Sequence, residues 1–530
     1  MRRNRERGVA LIMAMTLILI MSIMAVSLTF ISRGETLSSF NYRLMSQARD
    51  AAEAGVNRAS NHLMYTYSVP GTAGGDPTTA YDLTVSPITS GGNPVILSSN
   101  GGVTANYPVS AVSSAFDSAA HGSVAAGTTT INYGTSAKLL FMRELDSLPS
   151  YLSTGGNNTV QTWEITSTGT VAGFQPATVT VVAKLERHIV PVFAYAAFAT
   201  YPGCDALDFG GGGNTNSYSS VVADTNPATM YSGLGGNVGT NGGLSTVGAT
   251  TNIGGSLSTP RLGVGNCTSS TITALDGSLA TVDGGLVQLP TAISYPTPTI
   301  PAPGTVDLSS NGACPAGLPG CGSVAADPVV DTVTILGAAG LMLDPSACVD
   351  DITYCDNSPG GPDGWINLRN ITMTGNKDLY LKPGIYNINS IEELGGTVLH
   401  VVPTAASSTD AVTINVTGNG FADNQDPIKL TGGGISNPGT GGFPPNASKL
   451  QIGYAGTAGV KIAGSAAGAA LVYAPNASAS ITGGSNFYGS IIAKTIRDFG
   501  GAAIHYDRRL ETTVLKAGPY TMDSFNWKKF

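Results

Sequence analysis

The chain has 530 residues, 26 basic and 34 acidic, so 11% are charged and the net charge is −8, against roughly 25% charged in an ordinary globular chain. Glycine numbers 69 and hydrophobic residues make up 42%, too apolar a mixture for a disordered protein. The acidic balance and the lack of a basic stretch after the first residues argue against nucleic-acid binding, and the length calls for several domains or one elongated solenoid.

From Val9 to Ile31, 23 consecutive residues carry no charge, with Thr16, Ser22, Ser27 and Thr29 as the polar side chains. That is enough for a helix to cross a bilayer. Arg2, Arg3, Arg5 and Arg7 precede it, a basic flank that stays in the cytoplasm and sends the rest of the chain outward. The run is longer than a secretory signal core and lacks a cleavage box after it, so it reads as a retained helix. Beyond it no proline occurs up to Tyr67, and Leu37, Phe40, Leu44, Ala48, Ala51, Ala52, Gly55, Ala59 and Leu63 recur at helical spacing. One helix from Val9 to Met64 would be roughly 84 Å long.

The leader, Gly8 and the apolar start Val9-Ala10-Leu11-Ile12-Met13 resemble a prepilin signature. With Gln47-Ala48-Arg49-Asp50 and the box Ala51-Ala52-Glu53-Ala54-Gly55, the first 65 or so residues resemble the N-terminal domain of PilX-type minor pilins. The resemblance implies cleavage after Gly8 by prepilin peptidase, a mature chain starting at a methylated Val9, and a box that closes the helix. It also implies other pilins, minor pilins and the pilus assembly machinery as partners. Most major pilins have glutamate at the fifth mature position, to pair with a neighbour's α-ammonium. Here that position is Met13, a departure shared by subunits thought to sit at a filament tip. The plain alternative is an uncleaved signal anchor.

After Pro70 the helical pattern ends. Residues 71–130 are rich in Gly, Ser, Thr, Pro and Ala, as in a loop-rich head with short strands. Thr159 to Val182 reads as a β-hairpin turning at Gly173–Pro176. From Cys204 to about Leu510, short apolar pieces such as Val460-Lys461-Ile462 and Ala479-Ser480-Ile481 alternate with Gly and Asn. That texture suits a parallel β-helix, whose corners need φ above zero, although no fixed repeat length emerges. Leu381-Lys382-Pro383-Gly384-Ile385-Tyr386, Val472 to Ala477 and Phe487 to Asp507 are similar to a domain found behind PilX-type N-termini, a resemblance that implies a surface solenoid and no known activity.

Six cysteines in an oxidising compartment read as disulfides. Cys314 with Cys321 and Cys348 with Cys355 share the spacing C-x6-C, and Cys204 with Cys267 follows by elimination. No C-x2-C or neighbouring histidine supports zinc. Asp350, Asp351, Asp356 and Asp363 could gather Ca²⁺, and Asp423 to Asp426 form a sparser version. Without EF-hand spacing the first group reads as a solvated disulfide loop. His62, His121, His188, His400 and His505 accompany no nucleophile motif. In His505-Tyr506-Asp507 the side chains alternate faces, which favours a structural role.

The fold class expected is α+β, mainly β. It comprises a basic leader (1–8), a membrane and amphipathic helix (9–67), a pilin-like head (68–200), a β-helix-like solenoid of either hand (201–510) with disulfide loops within 281–364, and a C-terminal tail (511–530). The function expected is a non-enzymatic minor pilin of a type IV pilus or related secretion filament. Before assembly it sits in the bacterial inner membrane with its C-terminus extracytoplasmic, and afterwards on the pilus. No cofactor is expected, and the outer ligand would be a surface glycan or protein rather than nucleic acid. The alternatives are an anchored β-helical enzyme acting on polysaccharide, which would need a solvent-facing groove gathering three or more carboxylate and basic groups, and a plain anchored surface protein.

Overall fold

The computed structural model describes residues 3–71, 76–126, 129–145, 148–152, 158–172, 176–247, 251–278, 281–309, 314–330, 333–348, 354–355, 364–375, 377–403, 410–439, 442–463, 468–484 and 486–529. It has two compact units. The first comprises Met1–Leu145, Gly155–Ile189 and Ala517–Phe530, the second Asp146–Thr154 and Val190–Lys516.

The first unit packs one long helix and a short one, Ser110–Ala120, with a main antiparallel sheet. The long helix runs from Arg3 to Tyr65, so it begins inside the leader and passes straight through the Ala-Ala-Glu-Ala-Gly box instead of closing there. The sheet orders Ile96–Ser98, Thr129–Glu144, Thr159–Val171, Ala177–Pro191 and Leu515–Lys529, with Gly122–Ala126 paired to Thr129–Glu144. Period-2 burial along Ala177–Pro191 gives the sheet one apolar face, where Trp163, Ile165, Val181 and Leu185 pack with Ala48, Ala52, Val56 and Leu63 of the helix. The expected hairpin is present, Ile165 opposite Ala183. The expected tail is not: Leu515–Lys529 is the outermost strand of the sheet. Its Tyr520 hydroxyl donates to Gln161 Oε1 at 2.8 Å and its Ala517 N–H to Asn158 Oδ1 at 2.7 Å. The head sheet is therefore discontinuous in sequence, and the whole solenoid is inserted between its last two strands.

The second unit is a stack of parallel coils. One ladder joins Trp365–Asn367, Gly384–Ile388, Val412–Val416 and Leu450–Tyr454, and a second joins Asn370–Met373, Ser390–Glu393, Ile428–Leu430 and Val460–Ala463. A third joins Gly340–Leu343, Asp378–Leu381, Val398–Val401 and Gly434–Ser436. The connections between these constant strands differ in length, which is why the sequence shows texture without a period. Inward side chains form one continuous apolar core, including Ile371, Ile391, Ile414, Ile452 and Val472. Gly500 and Gly501 turn a corner at φ 98° and 78°, where a Cβ would be strained.

The order of the coils in space is not their order in the chain. Ala197–Ala199 pairs with Ile491–Ala493, and Asn214–Tyr218 with Ala503–Asp507, so the first coil lies on the last. Coils through Val238–Thr240, Leu257–Thr259 and Leu286–Gln288 continue outward from it. A proline-rich strap from about 289 to 307 then returns along the side of the stack. It is held by Ile293 N–H to Asn241 Oδ1 (2.8 Å), the Tyr473 hydroxyl to Pro296 O (2.7 Å) and Gly304 N–H to Leu368 O (3.2 Å).

An end coil has a neighbour on one side only, and the disulfides lie where packing is thinnest. Cys314–Cys321 and Cys348–Cys355 staple loops over the end nearest Trp365, where Leu318 and Tyr354 are buried. Cys204–Cys267 ties down the excursion that leads to Leu275–Asp276 near the opposite end.

Candidate functional site

The candidate site is the helix itself, whose two halves are built for different surroundings. Along Val9–Ile31 the large apolar side chains are exposed, Val9 at 56%, Met13 at 68% and Phe30 at 71%. Three of the hydroxyls in this stretch do not need water. Thr16 donates to Ile12 O (3.0 Å), Ser22 to Ile18 O (2.8 Å) and Thr29 to Ala25 O (2.7 Å). The backbone and three of the four hydroxyls, all but that of Ser27, are thus bonded within the helix, which suits a lipid-embedded segment. Among the described residues this is the one helix long and apolar enough to cross a membrane. Gly8 and Val9, the expected cleavage junction, lie within its first turns. Met13 presents no carboxylate.

The second half is docked. Ala48, Ala51, Ala52 and Ala59 are fully buried, and small side chains let helix and sheet backbones approach. A Cβ added to Gly55 would lie 2.2 Å from Ser167 Oγ, and one added to Gly169 would lie 2.1 Å from Ala48 O. The box therefore works as a contact face. Within it Glu53 turns outward to Arg49 at 2.6 Å, and the Arg49 guanidinium lies 5.4 Å from the Trp527 ring. Ala54 lies half-buried at its edge.

The other sequence-derived candidates stay apart. Asp350, Asp351, Asp356 and Asp363 lie outside the described residues. Asp423 accepts from the Thr457 hydroxyl at 2.7 Å. His505, Tyr506 and Asp507 form no dyad. His505 Nδ1 meets Asn216 Oδ1 and its ring stacks on Tyr231 at 4.3 Å. Asp507 accepts the N–H groups of Ser220 and Arg509, each at 3.1 Å. Burial pulls His505 down to about 4, so it is neutral at physiological pH.

Sequence reading did not find the buried polar groups of the solenoid. Asp378 Oδ2 lies 2.8 Å from His400 Nε2 and accepts the Ala338 N–H at 2.8 Å, while Oδ1 accepts that of Val398 at 2.9 Å. Tyr380 stacks on His400 at 4.6 Å. Asp378 and His400 meet because their strands are ladder neighbours, and uneven loop lengths hide that from the sequence. Both side chains are 3% exposed, so the pair braces a wall of the solenoid and has no access to a substrate. Glu393, 0% exposed, is raised well above the carboxylate range by burial and then by the charge of Asp378.

Residues 7–57 match the PilX N-terminal family. The anchor helix is thus similar to the N-terminus of PilX-type pilins. Residues 393–513 match a domain of unknown function, DUF7305, which covers the later coils and the Gly500–Gly501 corner. No curated protein matches the chain. Among solved structures, the competence-associated pilin ComZ from Thermus thermophilus is 13% identical, with 92% of this chain and 98% of that chain covered and a TM-score of 0.24, a likeness too slight to support an inference. With its exposed apolar half and docked small-residue half, the helix is that of a membrane-anchored chain whose N-terminus is pilin-like.

Proposed function

We propose that the chain is a minor pilin of a type IV pilus or related secretion filament, structural and adhesive rather than catalytic. The observation that carries this is the divided helix, bare over Val9–Ile31 and packed on the head sheet from Ala48 to Leu63. A helix exposed over half its length needs lipid before assembly and neighbouring helices after it. The orientation follows from the arginines before Val9, which keep the leader cytoplasmic and the head outside. Prepilin peptidase cuts after Gly8 and releases a mature chain beginning at Val9.

Met13 favours an end position. A subunit without a carboxylate there leaves a neighbour's ammonium unpaired in an apolar filament core, at a cost of several kcal/mol. A second unit spanning Val190–Lys516 adds bulk that a shaft of closely packed heads would have to accommodate. Low copy number at the tip satisfies both. Mass spectrometry of the mature N-terminus, combined with immunogold labelling of sheared filaments, tests the reading. The expected result is a terminal methylated Val9 and gold at one end. An intact Met1 terminus in assembled material, or gold along the shaft, overturns it.

A further inference from the structure

The sequence has no basic stripe, yet the coils bring three cations into one file. In the second ladder the outward position is held on successive coils by Glu392, Lys429, Lys461, Ser480, Arg497 and Asp208, each in register with the next. Neighbours in this file are one coil apart, roughly 5 Å. Its first end is neutralised and its last only partly so. Glu392 lies 2.8 Å from Lys429, whose ammonium also feels Asp426, and Asp208 lies 3.7 Å from Arg497. The middle is not. Lys461 makes no ion pair among the described residues, and the Arg497 side chain is 57% exposed with one long contact. Between them stands the hydroxyl of Ser480.

We propose that this face binds a linear acidic polysaccharide laid along the stack, with carboxylates against Lys461 and Arg497 and sugar hydroxyls against Ser480. The inference gives a ligand class to the adhesive role above and rests on that reading only for where the face is displayed. A flat β-ladder with cations at coil spacing suits an extended polymer whose charges recur along its length. Nucleic acid fits less well, because three cations neutralise few phosphates and the file has no aromatic ring for base stacking. Three cations and two carboxylates on one face would also interest a polysaccharide-cleaving enzyme. Here both carboxylates of the file, Glu392 and Asp208, face cations and are poorly placed for proton transfer.

Purified full-length protein in detergent, titrated with polygalacturonate, tests this without any filament, so its outcome is separable from that of the labelling experiment. Binding is expected to weaken about two- to fivefold in Lys461→Gln and about tenfold in Lys461→Glu, as for exposed charge pairs and their reversal. It should be unchanged in Lys461→Arg and in the off-file control Lys377→Gln, and should fall with rising salt. Unaltered binding by Lys461→Glu, equal binding of neutral dextran, or tighter binding of oligo-dT overturns the proposal. Shortening of the polymer during incubation overturns it in favour of an enzyme.

Discussion

Glycine serves opposite ends in the two units. In the head it brings backbones together: at Gly169 and Gly55 the missing Cβ leaves room for helix against sheet. In the solenoid it turns the chain: Gly500 and Gly501 take φ values that other residues adopt with strain. A glycine count alone cannot tell these uses apart, but their energetics differ. A Cβ at Gly169 would lie 2.1 Å from the helix backbone, whereas Gly501 resists substitution through its own torsion and a looser 3.0 Å approach of a Cβ to Gly211 O.

The contrast is broken most directly at Gly169. Gly169→Ala places a carbon 2.1 Å from Ala48 O and 2.9 Å from Ala52 N, both backbone atoms, so helix and sheet must separate. The expected loss is about 3 kcal/mol, read by denaturant unfolding, with faster amide exchange across Thr159–Val171. A loss under about 0.5 kcal/mol, the range of an unremarkable surface change, would show that the helix is not seated as described.

The second test uses the glycine corner beside Asp498. This carboxylate is fully buried and neither oxygen has a well-formed hydrogen bond among the described residues. Burial pushes it up to about 7, against a weak pull from the Ala502 N–H. Because the folded value lies above the ordinary 3.8, the contribution to stability is full below 3.8, declines as pH rises from there and is lost by the time pH passes 7. The advantage of Asp498→Asn over the native protein should grow by roughly 2 to 3 kcal/mol between pH 5 and pH 8.5. Thermal unfolding at the two pH values decides. A native protein equally stable at both would mean that the carboxylate finds a partner or water.

The smallest effect is expected at Gly501. Gly501→Ala keeps the corner but puts a side chain at φ 78°, for about 1 kcal/mol, visible as locally faster exchange along Ala503–Asp507. A loss as large as that of Gly169→Ala would erase the distinction between the two uses.

Much of the first unit was legible because its signals are local. The 3.6-residue stripe marks the helix, and period-2 alternation around a glycine-proline turn marks the hairpin. Leu515–Lys529 was not legible as a strand of the head, since its partner Ala177–Pro191 lies more than three hundred residues earlier. In the solenoid the apolar pieces and corner glycines disclose the class of fold. They do not disclose which coil lies on which, because register depends on neighbours brought together through loops of unequal length. The Asp378–His400 pair, the inward Asp498 and the file through Lys461 all arise from that stacking, so single-residue inspection passes over them.

The stacking of the first coil on the last also constrains the protein's biogenesis. As the chain is made from its N-terminus, strands 197–199 and 214–218 emerge long before 491–493 and 503–507, the strands that cover one of their edges. Ser490, for example, donates to the carbonyl of Tyr195, 295 residues earlier. Until synthesis is nearly complete these early strands present open parallel edges, which are prone to pairing with other chains. Closure must then await contacts of very long sequence separation, which form slowly. The protein passes through an interval in which the early coils of the solenoid wait for the late ones, and a holding factor would protect it there.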